Sequence, residues 1–485
     1  MSPQKSIIQT RQYQKIILKM LQDNFKKRYH TITEVDTGMG KRVLTFLLIT
    51  EILTEQKILL LLHSTTSFSE TVQYFKEDYG GFKNDLDFQT ISSRTPGWLR
   101  KKILESKESR VIVATPQAFT NAFNKLILPE KPKFDVVIIN EIDKIVRRHG
   151  DARLLIFPYN KLIPYLIQTG AWIVGMTGTM RDKHILYNPE RDNLTVQHEL
   201  VTLDNRIPDL HMIRMDTLLK DTDITDYIKY SYIQKFPVEP DEDLLNILDL
   251  IDQAIKDLRD NIIEEAIKER PTLIDSIPKS QLALVSGMLE SNQSQKYQGL
   301  LLIRKYCTAM QVKRYKKFLY RLKKFGVTKD QILNLSNYNA KVEATLDIVQ
   351  KQPKDSKVVV LCSYLDTAYF IEERLRKLGI TPFLITGETR DKGMVLKEFK
   401  RYLGKSVLVM TSVGERDIDI PQAKVLIVYD TINTVKTMYQ RMKRTRGGLV
   451  LCLFYAGTFE ERKIDRVLKE ISTRYPWSSI VDTFD

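Results

Sequence analysis

Two short stretches carry residue types suited to phosphate chemistry: Thr37-Gly38-Met39-Gly40-Lys41 and Asn140-Glu141-Ile142-Asp143. The first follows an apolar run, Ile32–Val35, and precedes a helical pattern from Val43. In that context backbone N–H groups and a helix N-terminus gather triphosphate oxygens, while a lysine reaches the β- and γ-phosphates. The usual pattern has a further glycine five residues before Gly40, where this chain has Val35. The second stretch ends the apolar run Val136–Ile139. An acidic cluster there can meet a metal ion and an attacking water, and Glu141 stands where a general base or water-positioner belongs. Arg11-Gln12-Tyr13-Gln14 offers an amide for adenine edges, and Gln440 to Gly448 places Arg441, Lys443, Arg444 and Arg446 in one segment. A guanidinium delivered from a second domain onto a γ-phosphate stabilises transition-state charge. Taken singly, these stretches also read as a glycine turn, an acidic helix start and a basic loop.

The elements that must position them alternate. Ile32–Val35, Ile58–Leu62, Phe88–Ile91, Val111–Ala114, Val136–Ile139 and Trp172–Met176 are β-rich apolar runs separated by helical patterns. Near-continuous apolar strands between helices predict a parallel sheet covered on both faces. The grammar returns at Val358–Leu361, Pro382–Ile385, Val407–Met410, Val425–Val428 and Leu449–Phe454. The fold class is therefore α/β: two parallel-sheet domains, 1–206 and 339–485, with an all-helical insert at 207–338, where strand signals vanish. From Lys296 to Gly326 the insert holds ten Lys or Arg and no acid, with Leu301, Leu302, Met310, Leu319 and Leu322 as its expected buried stripe. An uncompensated run of one sign repels itself, so a phosphate backbone is its expected partner.

At 485 residues, with a formal charge of +15 and a pI near 9.3, the chain has room for about three domains and favours a polyanionic partner. Cys307, Cys362 and Cys452 lie far apart, which supports neither a disulfide framework nor a metal-cysteine site. No signal peptide or apolar run of membrane length is visible, and Lys57–His63 reads as a buried strand. The expectation is a reducing, cytoplasmic setting without membrane contact.

These motifs, in this order, resemble superfamily 2 helicases, specifically the Hef/FANCM group. Arg11-x-Tyr13-Gln14 resembles the Q motif, Thr37–Lys41 motif I, Val111–Gln117 motif Ib, Asn140–Asp143 the DEAH box and Thr177-Gly178-Thr179 motif III. Ser363-Tyr364 is similar to motif IV, Val407–Pro421 to motif V and Gln440–Arg446 to motif VI. The helical stretch between the domains is similar to the family's thumb-like insert. The departures cluster at the metal site. Arg42 stands where the family's metal-ligating hydroxyl follows the lysine, and Asn140 and Asp143 replace the first and last residues of the DEAH box. Arg416-Asp417 alters motif V, and motif VI has Lys443 for a glycine and is one residue short. Glu461-Arg462-Lys463 has a nuclease-like start, but Asp465 breaks the spacing, so the segment reads as a solvated helix face.

The resemblance implies RecA-like domains and an ATP-dependent DNA helicase or translocase acting on branched or duplex DNA. A hydrolysis-deficient DNA-binding scaffold and a duplex-RNA helicase stand as alternatives, since charge does not separate DNA from RNA. It implies ATP and Mg²⁺ as cofactors and a nucleoid-associated location. ATP would be held by Arg11, Gln14, Thr37, Gly38, Gly40, Lys41, Asp419 and Gln440. Catalysis would rest on Lys41, Glu141, Arg444 and Arg446, with Asn140 accepting from metal-bound water. Nucleic acid would meet Thr65, Thr115, Pro116, Gln117, Ser363, Tyr364, Thr386 and Thr411. In the insert it would meet Arg304, Lys305, Lys313, Arg314, Lys316 and Lys317.

Overall fold

Strands buried on both faces organise the chain into two seven-stranded sheets, each covered by helices. The computed structural model describes residues 9–79, 88–125, 131–146, 155–188, 193–269, 292–309, 323, 327–331, 339–411, 420, 423–430, 434–445, 447–477 and 479–482. It falls into two compact units: residues up to 228 form the first, apart from 187–196, and residues from 229 onward belong to the second.

In the first unit the strand order is Phe88–Ile91, Val111–Ala114, Ile58–Leu61, Val136–Asn140, Trp172–Thr177, His30–Glu34, Leu210–Ile213, and every neighbouring pair is parallel. All residues of Ile58–Leu61, Val111–Ala114 and Trp172–Thr177 are buried. This explains their unbroken apolar sequence: each face meets a helix layer, so no polar alternation survives. Because neighbouring strands are parallel, the loops after Glu34, Ala114, Asn140 and Thr177 leave the same end of the sheet, the end at which open α/β sheets bind ligands.

The second unit repeats the arrangement in the order Thr381–Ile385, Ser406–Thr411, Lys357–Cys362, Val425–Val428, Leu449–Tyr455, Ser231–Val238, Ser479–Asp482, again wholly parallel. Its core continues into two insert helices, Glu242–Glu269 and Asn292–Thr308.

Two strands fall inside the stretch that the sequence presents as all-helical. Leu210–Ile213 is a four-residue edge strand with only Ile213 buried, too short to signal itself. Ser231–Val238 carries Pro237, which argues against a central strand. Its partner Ser479–Asp482, however, pairs only Ser231–Gln234, so Pro237 lies where the strand has become an edge. The expected buried stripe of the insert is kept only in part: Leu301 packs half-buried against the core. Leu300, Ile303, Tyr306 and Cys307 are buried and Leu302 is exposed, while Met310, Leu319 and Leu322 lie outside the described residues.

Candidate nucleotide and nucleic-acid site

In the first unit the glycine loop is closed by the opening of the first helix. The Tyr13 hydroxyl donates to the Met39 carbonyl at 2.8 Å, and Arg11 donates to the Tyr13 oxygen at 3.3 Å while lying 4.4 Å over the Tyr227 ring. Gln14 Oε1 accepts from the Arg11 backbone N–H at 3.0 Å. Its Nε2 presses against Gly40, where an added Cβ would stand 2.6 Å away. Gly40 also has φ of +77°, so a side chain there would strain the backbone and would have to displace the Gln14 amide. Arg11 and Gln14 thus join Thr37, Gly38, Gly40 and Lys41 in one place, as the sequence implied.

Lys41 Nζ donates to the Val35 carbonyl at 3.2 Å and lies 3.6 Å from Glu141 Oε1. The two residues are a hundred positions apart in the chain, so the sheet alone unites them. Glu141 holds a left-handed backbone, φ 55° and ψ 51°, at the head of the turn Ile142–Ile145. For a residue with a side chain this costs about 1–3 kcal/mol, a cost found most often where function demands it. Gly175 makes room for that turn: a Cβ there would stand 2.5 Å from Ile142 Cδ1.

Asp143 does work that the sequence did not announce. Buried at 1% exposure, it accepts from the Thr177 hydroxyl and, at 3.3 Å, from the Thr179 hydroxyl. Thr179 N–H in turn donates to Thr177 Oγ1 at 3.1 Å. Two residues on, Arg181 reaches Glu34 through Nε at 2.7 Å and Nη2 at 2.8 Å, and also bonds Asp216 at 2.8 Å. Glu34 ends the strand that feeds the glycine loop, so Arg181 ties the segment after Thr179 to the base of that loop. Buried carboxylates with such partners were the available clue, but Glu34 and Arg181 lie far apart in sequence.

Arg42 stands where the family has a metal-ligating hydroxyl. Its guanidinium is instead ion-paired with Glu70 and lies 5.3 Å over the Tyr74 ring. Asn140 Oδ1 is buried with no hydrogen-bond partner in the structure, an orphan acceptor at the strand end. The family's magnesium ion does not fit this donor set. The hydroxyl is absent, the strand-end acid is a neutral amide, both Asp143 oxygens accept from threonines, and Glu141 neighbours Lys41. Among the described residues no cluster of three or more His, Cys, Asp or Glu could hold a metal.

Beside this site lies a cavity of about 520 Å³ lined by Thr65, Thr115, Pro116, Gln117, Arg100 and Asn121 together with His63, Phe157 and Tyr159. The structure thus gathers the four nucleic-acid residues assigned to this unit. Tyr159 and His63, missed in the sequence, share a 3.2 Å hydrogen bond at its wall, and burial pushes the Tyr159 hydroxyl well above its usual range.

In the second unit Ser363 N–H donates to Asp430 Oδ2 at 2.7 Å, and Tyr364 immediately precedes the helix Leu365–Lys377. Thr386 and Thr411 are buried, and the Thr386 hydroxyl accepts from Glu388 N–H at 3.1 Å. Lys341, wholly buried, lies 3.1 Å from both Glu460 oxygens and 3.9 Å from Asp430. Burial raises the Asp430 carboxyl, against the pull of Lys341. Arg304 is ion-paired with Asp252 and stacked 3.9 Å over Phe459, and burial pulls Lys305 down. On the helix expected as a solvated face, Arg462 is exposed and Lys463 is half-buried. Burial, helped by Lys305, pushes it down to about 7. Gln440 sits in the helix Val435–Met442, and Arg444 in the turn Lys443–Thr445 that follows. Lys313, Arg314, Lys316, Lys317, Asp419 and Arg446 lie outside the described residues.

Comparison with known proteins agrees with this layout. Residues 7–182 match the family model described as "Type III restriction enzyme, res subunit", and residues 340–448 match "Helicase conserved C-terminal domain". In both parallel-sheet units the chain is similar to superfamily 2 helicases of the Hef/FANCM group. Similar helicases include a Methanocaldococcus jannaschii protein provisionally named an ATP-dependent RNA helicase, 24% identical over 96% of this chain and 61% of its own length. ATP-dependent DNA helicase MPH1 of Pyricularia oryzae is 24% identical over 76% of this chain and 37% of its own. The chain therefore spans less than two thirds of these relatives. The crystal structure of the Pyrococcus furiosus Hef helicase domain superposes with a TM-score of 0.57 at 19% identity, over 94% of this chain and 98% of that one, which supports the shared helicase fold. No described helix is long and apolar enough to cross a membrane.

Proposed function

We propose that this chain is an ATP-dependent DNA helicase or translocase that works on branched or duplex DNA. The observation that carries the proposal is the 3.6 Å approach of Lys41 to Glu141 at the sheet end, beside a cavity holding Thr65 and Thr115 to Gln117. Thr37, Gly38, Gly40 and Lys41 receive the phosphates, and Arg11 and Gln14 brace the loop from behind. Lys41 balances charge on the β- and γ-phosphates. Glu141 orients and deprotonates the attacking water, from an ion pair loose enough to open. Asp419 and Gln440 contribute to ATP binding, and Arg444 and Arg446 stabilise the charge that develops on the γ-phosphate. The donor set around Asn140 gives no step through a metal.

Nucleic acid runs over the Thr65 and Thr115 groove and the Ser363, Tyr364, Thr386 and Thr411 positions. The insert adds backbone contacts through Lys313, Arg314, Lys316 and Lys317. Because Arg304 pairs with Asp252 and stacks on Phe459, it contributes through the seating of the insert helix, beside the half-buried Lys305. The MPH1 relatives are named as DNA helicases, which supports DNA as the substrate. The name of the Methanocaldococcus relative keeps duplex RNA as a second reading. Strand displacement from a labelled fork tests the proposal: release requires ATP and fails in Lys41→Ala, whereas release without ATP or in that variant contradicts it.

A further inference from the structure

We infer that this chain holds the nucleotide through its own cations and backbone, and that Mg²⁺ adds little to nucleotide affinity. The inference rests on the ATP site proposed above and goes beyond it. A divalent ion at a triphosphate is normally held by few protein oxygens and keeps several waters, so losing even two of those groups removes most of the protein's grip on it. Here the carboxylates that could supply that grip are committed to protein partners, the hydroxyl is missing, and the unpartnered Asn140 oxygen is a neutral amide.

Arg42 occupies the position of the hydroxyl, and a guanidinium has no acceptor to offer a cation. Nor is the arginine poised to swing aside and expose another ligand, because Glu70 pairs with it and Tyr74 lies beneath it. Asn140 presents a neutral amide oxygen, buried and without a partner, where a carboxylate would supply charge. Asp143 accepts from two threonine hydroxyls. Glu34 is clamped by Arg181, and Asp36 Oδ1 accepts from Thr37 N–H at 2.7 Å. Glu141 lies 3.6 Å from the Lys41 ammonium, which competes directly with a cation.

One cation and an anion-gathering backbone turn are nevertheless present here. Lys41 reaches into the loop, and the backbone turns through left-handed Gly38 and Gly40 into a helix start, the geometry that gathers N–H groups about an anion. A triphosphate carrying no metal has more negative charge to offer these groups than one whose charge is partly neutralised. The loss of the ion's bridging role is thereby offset, and the orphaned Asn140 acceptor is left for a water.

The test measures ATP affinity by isothermal titration calorimetry on the wild-type chain, once in excess MgCl₂ and once in excess EDTA. The expected dissociation constants agree within about threefold, since the protein contributes almost no metal ligand. A loss of affinity of more than about tenfold in EDTA overturns the inference while leaving the ATP site intact. Absence of ATP binding in both media overturns the inference and the ATP site together. The double variant Arg42→Thr/Asn140→Asp restores a hydroxyl and a carboxylate, so its affinity falls about tenfold or more when Mg²⁺ is removed. A folded double variant that stays indifferent to Mg²⁺ places the metal insensitivity elsewhere and counts against these two residues as its cause.

Discussion

Gln14 and Gly40 touch across the base of the phosphate loop: the amide nitrogen of Gln14 occupies the place that a Cβ on Gly40 would need, 2.6 Å away. The contact joins the first helix to the loop, and Tyr13 reinforces it through the Met39 carbonyl. Gly40→Ala must push Gln14 out and also adopt a left-handed backbone, at a combined cost of about 2–4 kcal/mol. ATP affinity falls at least tenfold in titration calorimetry, and thermal unfolding shifts down by several degrees. An unchanged affinity would show that the loop does not depend on this packing.

Glu141 carries backbone strain at the position assigned to water activation. Asparagine tolerates the left-handed region better than glutamate does. The Lys41 ion pair it forfeits, at 3.6 Å and partly exposed, is worth about 1 kcal/mol or less. Glu141→Asn therefore abolishes turnover while thermal stability is maintained or raised. A large drop in melting temperature would mean that Glu141 is primarily structural.

Asp143 tests the link between the acidic turn and the Thr177-Gly178-Thr179 segment. Asp143→Ala leaves two buried threonine hydroxyls without their acceptor, costing about 2–3 kcal/mol in chemical denaturation. Thr177→Val together with Asp143→Ala costs less than the sum of the two single changes, because the partners are shared. Full additivity would contradict the network.

Lys463 gives a pH dependence whose sign is fixed by its surroundings. Lys305, Glu460, Asp430 and Lys341 act on it, and burial lowers its pKa from 10.5 to about 7. Above pH 7 the folded state binds fewer protons at this site than the unfolded state does. Stability from this group therefore rises with pH between about 7 and 10.5, and the penalty is fully present below 7. Lys463→Met raises stability at pH 6 to 7 and flattens the slope above it, as read from denaturant midpoints. A wild-type midpoint that falls through this window faster than that of the variant would contradict the assignment.

The alternating apolar runs of the sequence set out both sheets, because strands buried on two faces leave no other pattern. Leu210–Ile213 and Ser231–Val238 escaped notice because edge strands need little apolar surface and tolerate Pro237. Around the candidate site, Lys41 and Glu141 were legible from their flanking strands. The Glu34–Arg181 and Asp143–Thr177 pairs were not, since partners 147 and 34 positions apart meet only through strand order. Arg42 was visible as a departure, but its attachment to Glu70 depends on how the helix Thr65–Gln73 packs.

The basic insert predicts a salt effect. Replacing Lys313, Arg314, Lys316 and Lys317 with Ala weakens DNA binding similarly across sequences, since phosphate contacts position without specifying. The slope of log K against log salt flattens by about 0.9 for each lost contact, measured by anisotropy on duplex DNA. An unchanged slope would make the run a solvated face.

The central claim is met most directly by steady-state ATP turnover with no nucleic acid, with forked DNA and with duplex RNA, each repeated in Glu141→Gln. The account predicts slow turnover that rises with forked DNA and disappears in the variant. Turnover on RNA alone, or ATP binding without hydrolysis on any nucleic acid and indifferent to Glu141→Gln, would contradict it.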